Sequence, residues 1–186
     1  METKAIKKEL IIIFTRHPVA GQVKTRIGRV LGDNVALDVH SRLSLHTRKT
    51  VEQSEVDVAV WFDGPPEVNS CWAHPRFRMM EQHGADLGER MANAFAFHFG
   101  EGYQNILIIG TDCPGMNSRL LEHAFSLLNT TQAVLGPAAD GGYYLLGLTQ
   151  ILPSLFIGKA WGTGTVFRDT MLDLERSEEH TSELQS

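Results

Sequence analysis

The chain has 186 residues, 42% of them hydrophobic, and its 17 Lys and Arg against 22 Asp and Glu give a net charge of −5. That length predicts one domain, and the mild acidity excludes a surface built for indiscriminate nucleic-acid binding. Two cysteines without paired spacing, no secretory signal and no run of about 20 apolar residues exclude a disulfide framework and a membrane span, and predict a cytoplasmic protein.

Leu10 to Phe14 reads as a buried strand. It runs into Thr15-Arg-His-Pro-Val-Ala-Gly-Gln-Val-Lys-Thr-Arg26, where a Pro18 and Gly21 turn lets backbone N–H groups approach an anion. Arg16, Lys24 and Arg26, with Gly21 and Thr25 between them, have the chemistry to grip phosphate oxygens. No carboxylate stands near them in sequence, so their crowding costs repulsion unless an anion visits. Ordinary surface charge is the competing reading of Lys24 and Arg26, and the expected one for Arg29 and for Lys4, Lys7 and Lys8.

Asp33 is the expected N-cap of a helix running to about Gln53, with Val35, Val39 and Leu43 spaced for one face. Val56 to Phe62 alternates as a strand and stops at Gly64-Pro65-Pro66; residues 64–76 read as a loop, then Phe77 to Glu81 as a short strand. Asp86-Leu-Gly-Glu89 has the spacing of a capping box and opens a helix to about Phe99, with Met91, Phe95 and Phe99 at fourfold spacing. Ile106 to Ile109 is the next strand, Asn117 caps a helix to about Leu128, and Ala133 to Leu135 and Tyr143 to Leu148 are strands. Alternation of this kind predicts a three-layer α/β domain with a mostly parallel sheet.

Two of these strands end in acids. Asp112 follows Ile106-Leu-Ile-Ile-Gly-Thr111 and Asp140 follows Ala133-Val-Leu-Gly-Pro-Ala-Ala139. A carboxyl edge is where open α/β sheets bind ligands, and two such acids can share one divalent cation. Asp112 could instead brace the turn before Pro114, and Asp140 in Asp-Gly-Gly could be turn chemistry alone. Cys113 reads as small buried packing, and the eight histidines show no metal-ligand spacing. Tyr143 and Tyr144 are expected to split, one packing inward and one facing the cleft. Trp161-Gly-Thr163 reads either as core plus a helix cap at Thr163 or Thr165, or as a wall on the acceptor side.

Residues 176–186 are identical to an in-frame translation of a widely used sequencing adapter, and they show no period, cap or apolar face. They are expected to be non-native, leaving residues 1–175 as a single domain shortened at its C-terminus and carrying 16 bases against 19 acids.

Phe14-Thr-Arg-His-Pro-Val-Ala-Gly-Gln-Val-Lys-Thr-Arg26, Asp86-Leu-Gly-Glu-Arg-Met91, Gly110-Thr-Asp-Cys-Pro114, Gly136-Pro-Ala-Ala-Asp-Gly-Gly-Tyr-Tyr144 and Trp161-Gly-Thr163 together resemble the DUF2064 family of GT-A-type, glycosyltransferase-like proteins, one branch of which is associated with arsenosugar biosynthesis. The resemblance runs in order from about Ile11 to Thr170. It implies a GT-A, nucleotide-diphospho-sugar transferase-like fold, a nucleotide-diphosphate donor, a small-molecule acceptor, and Mg²⁺ or Mn²⁺ held by Asp112. It likewise implies that Lys24 and Arg26 grip phosphate. Glycosyltransferases of this fold usually carry Asp-x-Asp, whereas Thr111-Asp112-Cys113-Pro114 supplies one acid, a pattern that also resembles nucleotidyltransferases. Sugar transfer is the favoured activity, nucleotidyl transfer with release of pyrophosphate the alternative. A catalytically silent nucleotide-binding module is the reading from another class, against which the presence of both acids weighs.

Overall fold

A computed structural model describes residues 8–183, with side chains described through Arg176. Six strands, β1 (Glu9–Thr15), β2 (Asp57–Phe62), β3 (Phe77–Glu81), β4 (Asn105–Gly110), β5 (Ala133–Pro137) and β6 (Tyr143–Leu148), form one sheet in the order β3-β2-β1-β4-β6-β5. β1 to β4 are mutually parallel, and β6 runs antiparallel to both β4 and β5. Helices α1 (Thr25–Leu31) and α2 (Asp33–Glu52) connect β1 to β2, α3 (Leu87–Gly100) connects β3 to β4, α4 (Ser118–Leu127) connects β4 to β5, and α5 (Val166–Glu183) follows β6.

The branched apolar runs occupy the middle of the sheet because a parallel strand is covered on both faces and alternate side chains enter opposite layers. Ile11, Ile13, Leu107 and Ile109 meet Val51 of α2 and Leu121 and Phe125 of α4 on one face. Leu10, Ile12, Ile106 and Ile108 meet Met91 and Phe95 of α3 and Leu155 on the other. The result is the three-layer, mostly parallel architecture that the alternation of elements predicts.

Two helix starts follow their sequence signals. Asp86 accepts a hydrogen bond from the Glu89 N–H at 2.9 Å while Glu89 reaches back to the Ala85 N–H at 2.7 Å, and Asn117 accepts from Leu120 at 3.1 Å. The start of α2 corrects the expectation. Gly32, at a positive φ of 91°, holds the N-cap position with no side-chain cap, and Asp33 is the first helical residue. The buried stripe of α2 is Ala36, His40, Ser44, Thr47, Thr50 and Val51, rather than the face of Val35, Val39 and Leu43. Helix α1 has no counterpart in the sequence reading, since seven residues with a central glycine leave no apolar period to detect. Helix α5 runs on past Glu175 into the segment with the adapter sequence.

A polar network locks α3 to β2. The fully buried His98 ring accepts a hydrogen bond at Nε2 from the Trp61 indole N–H at 3.2 Å, which places its proton on Nδ1, 2.7 Å from Glu101. Burial holds His98 below the usual imidazole range despite the neighbouring carboxylate. A folded-state pKa below the unfolded one means that the neutral ring stabilises the fold above about pH 6.5, the unfolded histidine value, and that this contribution is lost as pH falls through the folded value. Thermal melts between pH 5 and 8 should therefore show steeper acid loss for the native protein than for His98→Gln. That variant should be less stable at pH 8 by about 1–3 kcal/mol, the cost of leaving a buried polar partner unpaired.

Candidate functional site at the switch point of the sheet

The chain leaves β1 toward β2 on one side and β4 toward β6 and β5 on the other, so the carboxyl ends of β1 and β4 bound the crevice where open α/β sheets take their ligands. Phe14 and Gly110 are register partners, and the basic loop and Asp112 leave the sheet side by side. The loop turns through Val19 N–H to His17 O at 2.8 Å and Gln22 N–H to Val19 O at 3.0 Å, with Gly21 at φ 78°. An added Cβ at Gly21 would stand 3.3 Å from the Asp33 carboxylate, so the glycine serves both the turn and the close approach of α2.

Lys24 is the one non-glycine residue with positive φ (48°) among the described residues. Such backbone strain costs about 1–3 kcal/mol and clusters at sites where surrounding structure over-determines it. Here it directs the Lys24 side chain, 14% exposed, into an ion pair with the Asp112 carboxylate, 72% exposed. The two residues from separate sequence motifs thus meet directly. The carboxylate missing from the local sequence around Lys24 is supplied by the loop that follows β4. Arg16, Thr25 and Arg26 are exposed on the same loop and the first turn of α1.

Three contacts that the sequence did not disclose set this loop. His17 donates its backbone N–H to Asp63 Oδ1 at 2.9 Å, and its ring nitrogens lie 2.9 Å from that oxygen and from the Pro65 carbonyl. Both ring partners are acceptors, so the doubly protonated ring fits best, and the hydrogen bond to Asp63 raises the His17 pKa. Burial alone would raise Asp63, but the hydrogen bonds from His17 hold it below the usual carboxylate range. Buried His40 of α2 donates from Nε2 to the Arg16 carbonyl at 3.3 Å, and burial lowers its pKa, with the field of Lys24 acting the same way. The Gln82 amide donates to the Thr15 and Trp61 carbonyls at 3.3 and 2.8 Å, tying the ends of β1 and β2. His17 stands inside the basic motif, which was the available signal; Asp63, His40 and Gln82 carried none.

Asp140 lies on the β5–β6 turn, at the same sheet edge as Asp112, because β6 runs antiparallel to β4 with Leu145 opposite Ile109. Its Oδ1 accepts from the Gly142 N–H at 3.2 Å, which is turn chemistry, and leaves Oδ2 to the edge. The Gly141 carbonyl accepts from Phe167 at 2.9 Å, fastening the turn to the start of α5. Mg²⁺ is commonly held by one or two carboxylates with waters and substrate phosphates. Asp112 and Asp140 fit that donor set, although no three His, Cys, Asp or Glu side chains gather into a metal cage among the described residues.

Tyr143 and Tyr144 point into opposite layers of the sheet. The Tyr143 hydroxyl is buried without a hydrogen-bond partner among the described residues, and burial pushes its pKa far up. The Tyr144 ring lies over Gly136, and burial raises its pKa, with Cys113 nearby. Cys113 packs partly buried against the α2–α4 layer. Trp161 packs within 2.6 Å of where a Cβ on Gly88 would stand, so it closes over the start of α3 as part of the core. Thr163 is exposed and donates to the Ala160 carbonyl at 2.7 Å, while Thr165 immediately precedes α5.

Residues 46–163 match the DUF2064 family, described as uncharacterized proteins conserved in bacteria. The chain belongs to that family. The basic loop lies ahead of the matched span. A candidate nucleotide-diphospho-sugar transferase from Desulfovibrio desulfuricans G20 is 29% identical, with a TM-score of 0.84 over 93% of this chain and 78% of that one. A cytidylyltransferase from Leptospira borgpetersenii (15% identity, TM-score 0.53, 95% and 73% covered) shares the fold. So does 4-diphosphocytidyl-2C-methyl-D-erythritol synthase from Anaerococcus prevotii DSM 20548 (10%, 0.56, 89% and 84%). No curated protein matches the chain. The fold is that of the nucleotide-diphospho-sugar transferases, and no helix among the described residues is long and apolar enough to cross a membrane.

The His17–Asp63 clasp has a definite pH sign. Because its pKa is raised in the folded protein, the charged ring strengthens the clasp fully below about pH 6.5 and loses that effect as pH rises through the folded value. Hydrogen exchange in residues 16–24, corrected for intrinsic rates, should be faster at pH 8 than at pH 6. In Asp63→Asn this pH dependence should largely vanish, with fast exchange at both.

Proposed function

We propose that the protein is a metal-dependent transferase acting on a nucleotide-activated donor, and that its reaction is transfer of a sugar from a nucleotide diphosphate to a small acceptor. The observation that carries the reading is the meeting of Lys24 and Asp112 at the switch point, a cation for phosphate and an anion for a metal in one ion pair. The 29% identical relative named for nucleotide-diphospho-sugar transfer supports it.

On this reading, Lys24 exchanges the Asp112 carboxylate for the donor's diphosphate, and Arg26 and Arg16 add guanidinium contacts from the same loop. Asp112, released from Lys24, and Asp140 through Oδ2 would hold Mg²⁺ or Mn²⁺, which when bound would supply charge neutralisation for the departing diphosphate. The bond between the anomeric carbon and the diphosphate oxygen breaks, and an acceptor oxygen takes the carbon. Lys24 and Arg26 hold the charge that grows on the leaving group, where preorganised donors act most strongly. Asp140 takes the acceptor's proton where it is not a ligand.

Lys24→Ala and Arg26→Ala should each weaken binding of a nucleoside diphosphate by about 1.5–3 kcal/mol, the range for hydrogen bonds to charged groups, and leave nucleoside binding unchanged. Asp112→Asn should stay folded but melt somewhat lower, because it leaves the mostly covered Lys24 ammonium without its carboxylate, and should abolish the Mn²⁺-dependent part of binding in calorimetry. Metal-dependent binding that survives in this variant rules out Asp112 as ligand.

Nucleotidyl transfer is the second reading, favoured by the single acid in Thr111-Asp112-Cys113-Pro114 and by the shared fold of the cytidylyltransferases. The two differ in what departs. Sugar transfer must release a nucleoside diphosphate, whereas nucleotidyl transfer breaks the bond between the α- and β-phosphates and must release pyrophosphate. Incubation with Mn²⁺, cell-extract acceptors and either nucleotide sugars or nucleoside triphosphates should yield nucleoside diphosphate from the first series. Pyrophosphate from the triphosphates, with no diphosphate from any nucleotide sugar, would reverse the choice.

A further inference from the structure

A cavity lies at the opposite edge of the sheet from Lys24 and Asp112, where β1 and β2 begin. It holds about 310 Å³ between the start of β1, the turn from α2 into β2, and α4. Ile11, Val56, Leu121 and Phe125 form its apolar lining, and Glu9, Glu122 and Asn129 bring polar groups to it. Small-molecule sites have this build, apolar with a few placed polar groups, and the volume stands at the lower end of their range of about 300–1,000 Å³.

The polar groups here are acceptors without matching donors. Alternation along the strands turns Glu9 with Ile11, and its register partner Asn105 with Leu107, toward the layer of α2 and α4. Asn105 is wholly buried; its Nδ2 donates to Glu9 Oε1 at 3.5 Å, while its Oδ1 has no partner among the described residues. Asn129 gives its Nδ2 to the Phe125 carbonyl at 3.4 Å, which leaves Oδ1 as an acceptor. Neither Glu9 nor Glu122 has a cationic partner among the described residues. Lys8 sets its ammonium over the Tyr103 ring, and Arg76 spends its guanidinium on the Ser54 and Glu52 carbonyls at 3.2 and 3.0 Å. Two carboxylates and a buried amide oxygen thus concentrate negative charge beside an apolar lining, and a positively charged occupant relieves it.

We propose that this cavity binds a small organic ammonium ion, with its amine held by Glu9 and Glu122 and its hydrocarbon body against Ile11, Val56, Leu121 and Phe125. An ammonium brings three donors and no acceptor, the complement of what the cavity offers. A bare metal ion would leave the apolar lining in water. A neutral compound would leave both carboxylates unpaired, and an anion would be repelled by them. The cavity is at the amino edge of the sheet, so the proposal does not depend on the transferase reading.

Calorimetry and amide NMR shifts with phenethylamine test it, with circular dichroism to show that each variant is folded. The amine should bind saturably and shift the signals of Ile11, Val56, Leu121 and Phe125. Phenethyl alcohol, which keeps the body and lacks the charge, should bind about tenfold or more weakly, as expected when a hydrogen bond to a charged group is lost. Ammonium chloride, which keeps the charge and lacks the body, should not displace the amine. Glu9→Gln should weaken amine binding by about tenfold or more, and Glu122→Gln, at a more exposed position, by a smaller factor. Ser126→Trp, at an exposed position on the cavity wall, should block it. All three variants should bind nucleoside diphosphate as the native protein does. Absence of saturable binding, equal binding of the alcohol, or displacement by ammonium chloride overturns the proposal. So do shifts confined to another part of the chain, or amine binding that survives unchanged in Glu9→Gln or Ser126→Trp.

Discussion

The candidate site depends on β1 and β4 lying side by side and pointing the same way. Parallel neighbours that are far apart in sequence deliver their following residues to one edge, and the register that sets Phe14 against Gly110 brings Lys24 and Asp112 into contact. The strands can do this because Ile11, Ile12 and Ile13 and Ile106 through Ile109 are apolar on both faces. A slip by one residue would leave both layers apolar, so alternation alone does not fix the register. The polar ends do, through Thr15, Gly110 and Thr111, where the apolar runs stop together.

The basic loop would repel itself if left to its own charges, and the surrounding polar contacts are arranged against that. His17 clasps Asp63 at the end of β2, Gln82 bridges β1 and β2 from the end of β3, and His40 holds the Arg16 carbonyl from below. Of the buried stripe of α2, His40 is the residue that reaches this loop, while Thr50 donates to the His46 and Met116 carbonyls. The stripe is not free of cost, since the Ser44 and Thr47 hydroxyls are buried without partners among the described residues, at about 1–3 kcal/mol each.

Much of the fold was legible because burial on two faces writes itself into sequence as short apolar runs bounded by turns. The strands came out nearly whole, and the caps at Asp86 and Asn117 are local hydrogen bonds that depend on a few neighbouring residues. What failed was non-local. The stripe Val35, Val39 and Leu43 has the stronger apolar signal, yet α2 turns inward a stripe of small and polar residues, of which His40 reaches the Arg16 carbonyl. Asp33 looks like a cap in sequence, but its carboxylate lies against Gly21 and Gly28, and Gly32 makes the turn into the helix at positive φ. In the site, residue types at strand ends were readable, whereas the Lys24–Asp112 pair and the His17–Asp63 clasp exist only once the sheet order is known.

The ion pair has a thermodynamic consequence for the proposed chemistry. Lys24 cannot give its full charge to a phosphate while Asp112 holds it, and Asp112 cannot fully serve a cation while Lys24 occupies it. A cation that takes Asp112 frees Lys24 for the diphosphate, and a diphosphate that takes Lys24 frees Asp112 for the cation. Because linkage is reciprocal, each ligand must raise the affinity for the other by the same factor. The exchange also spares the site an unpaired ammonium on a mostly covered side chain, which would be costly to leave without a partner. On the proposed reading a single acid at the end of β4, rather than two, suits this arrangement: one carboxylate balances one lysine, and a second would hold Lys24 in place against a phosphate.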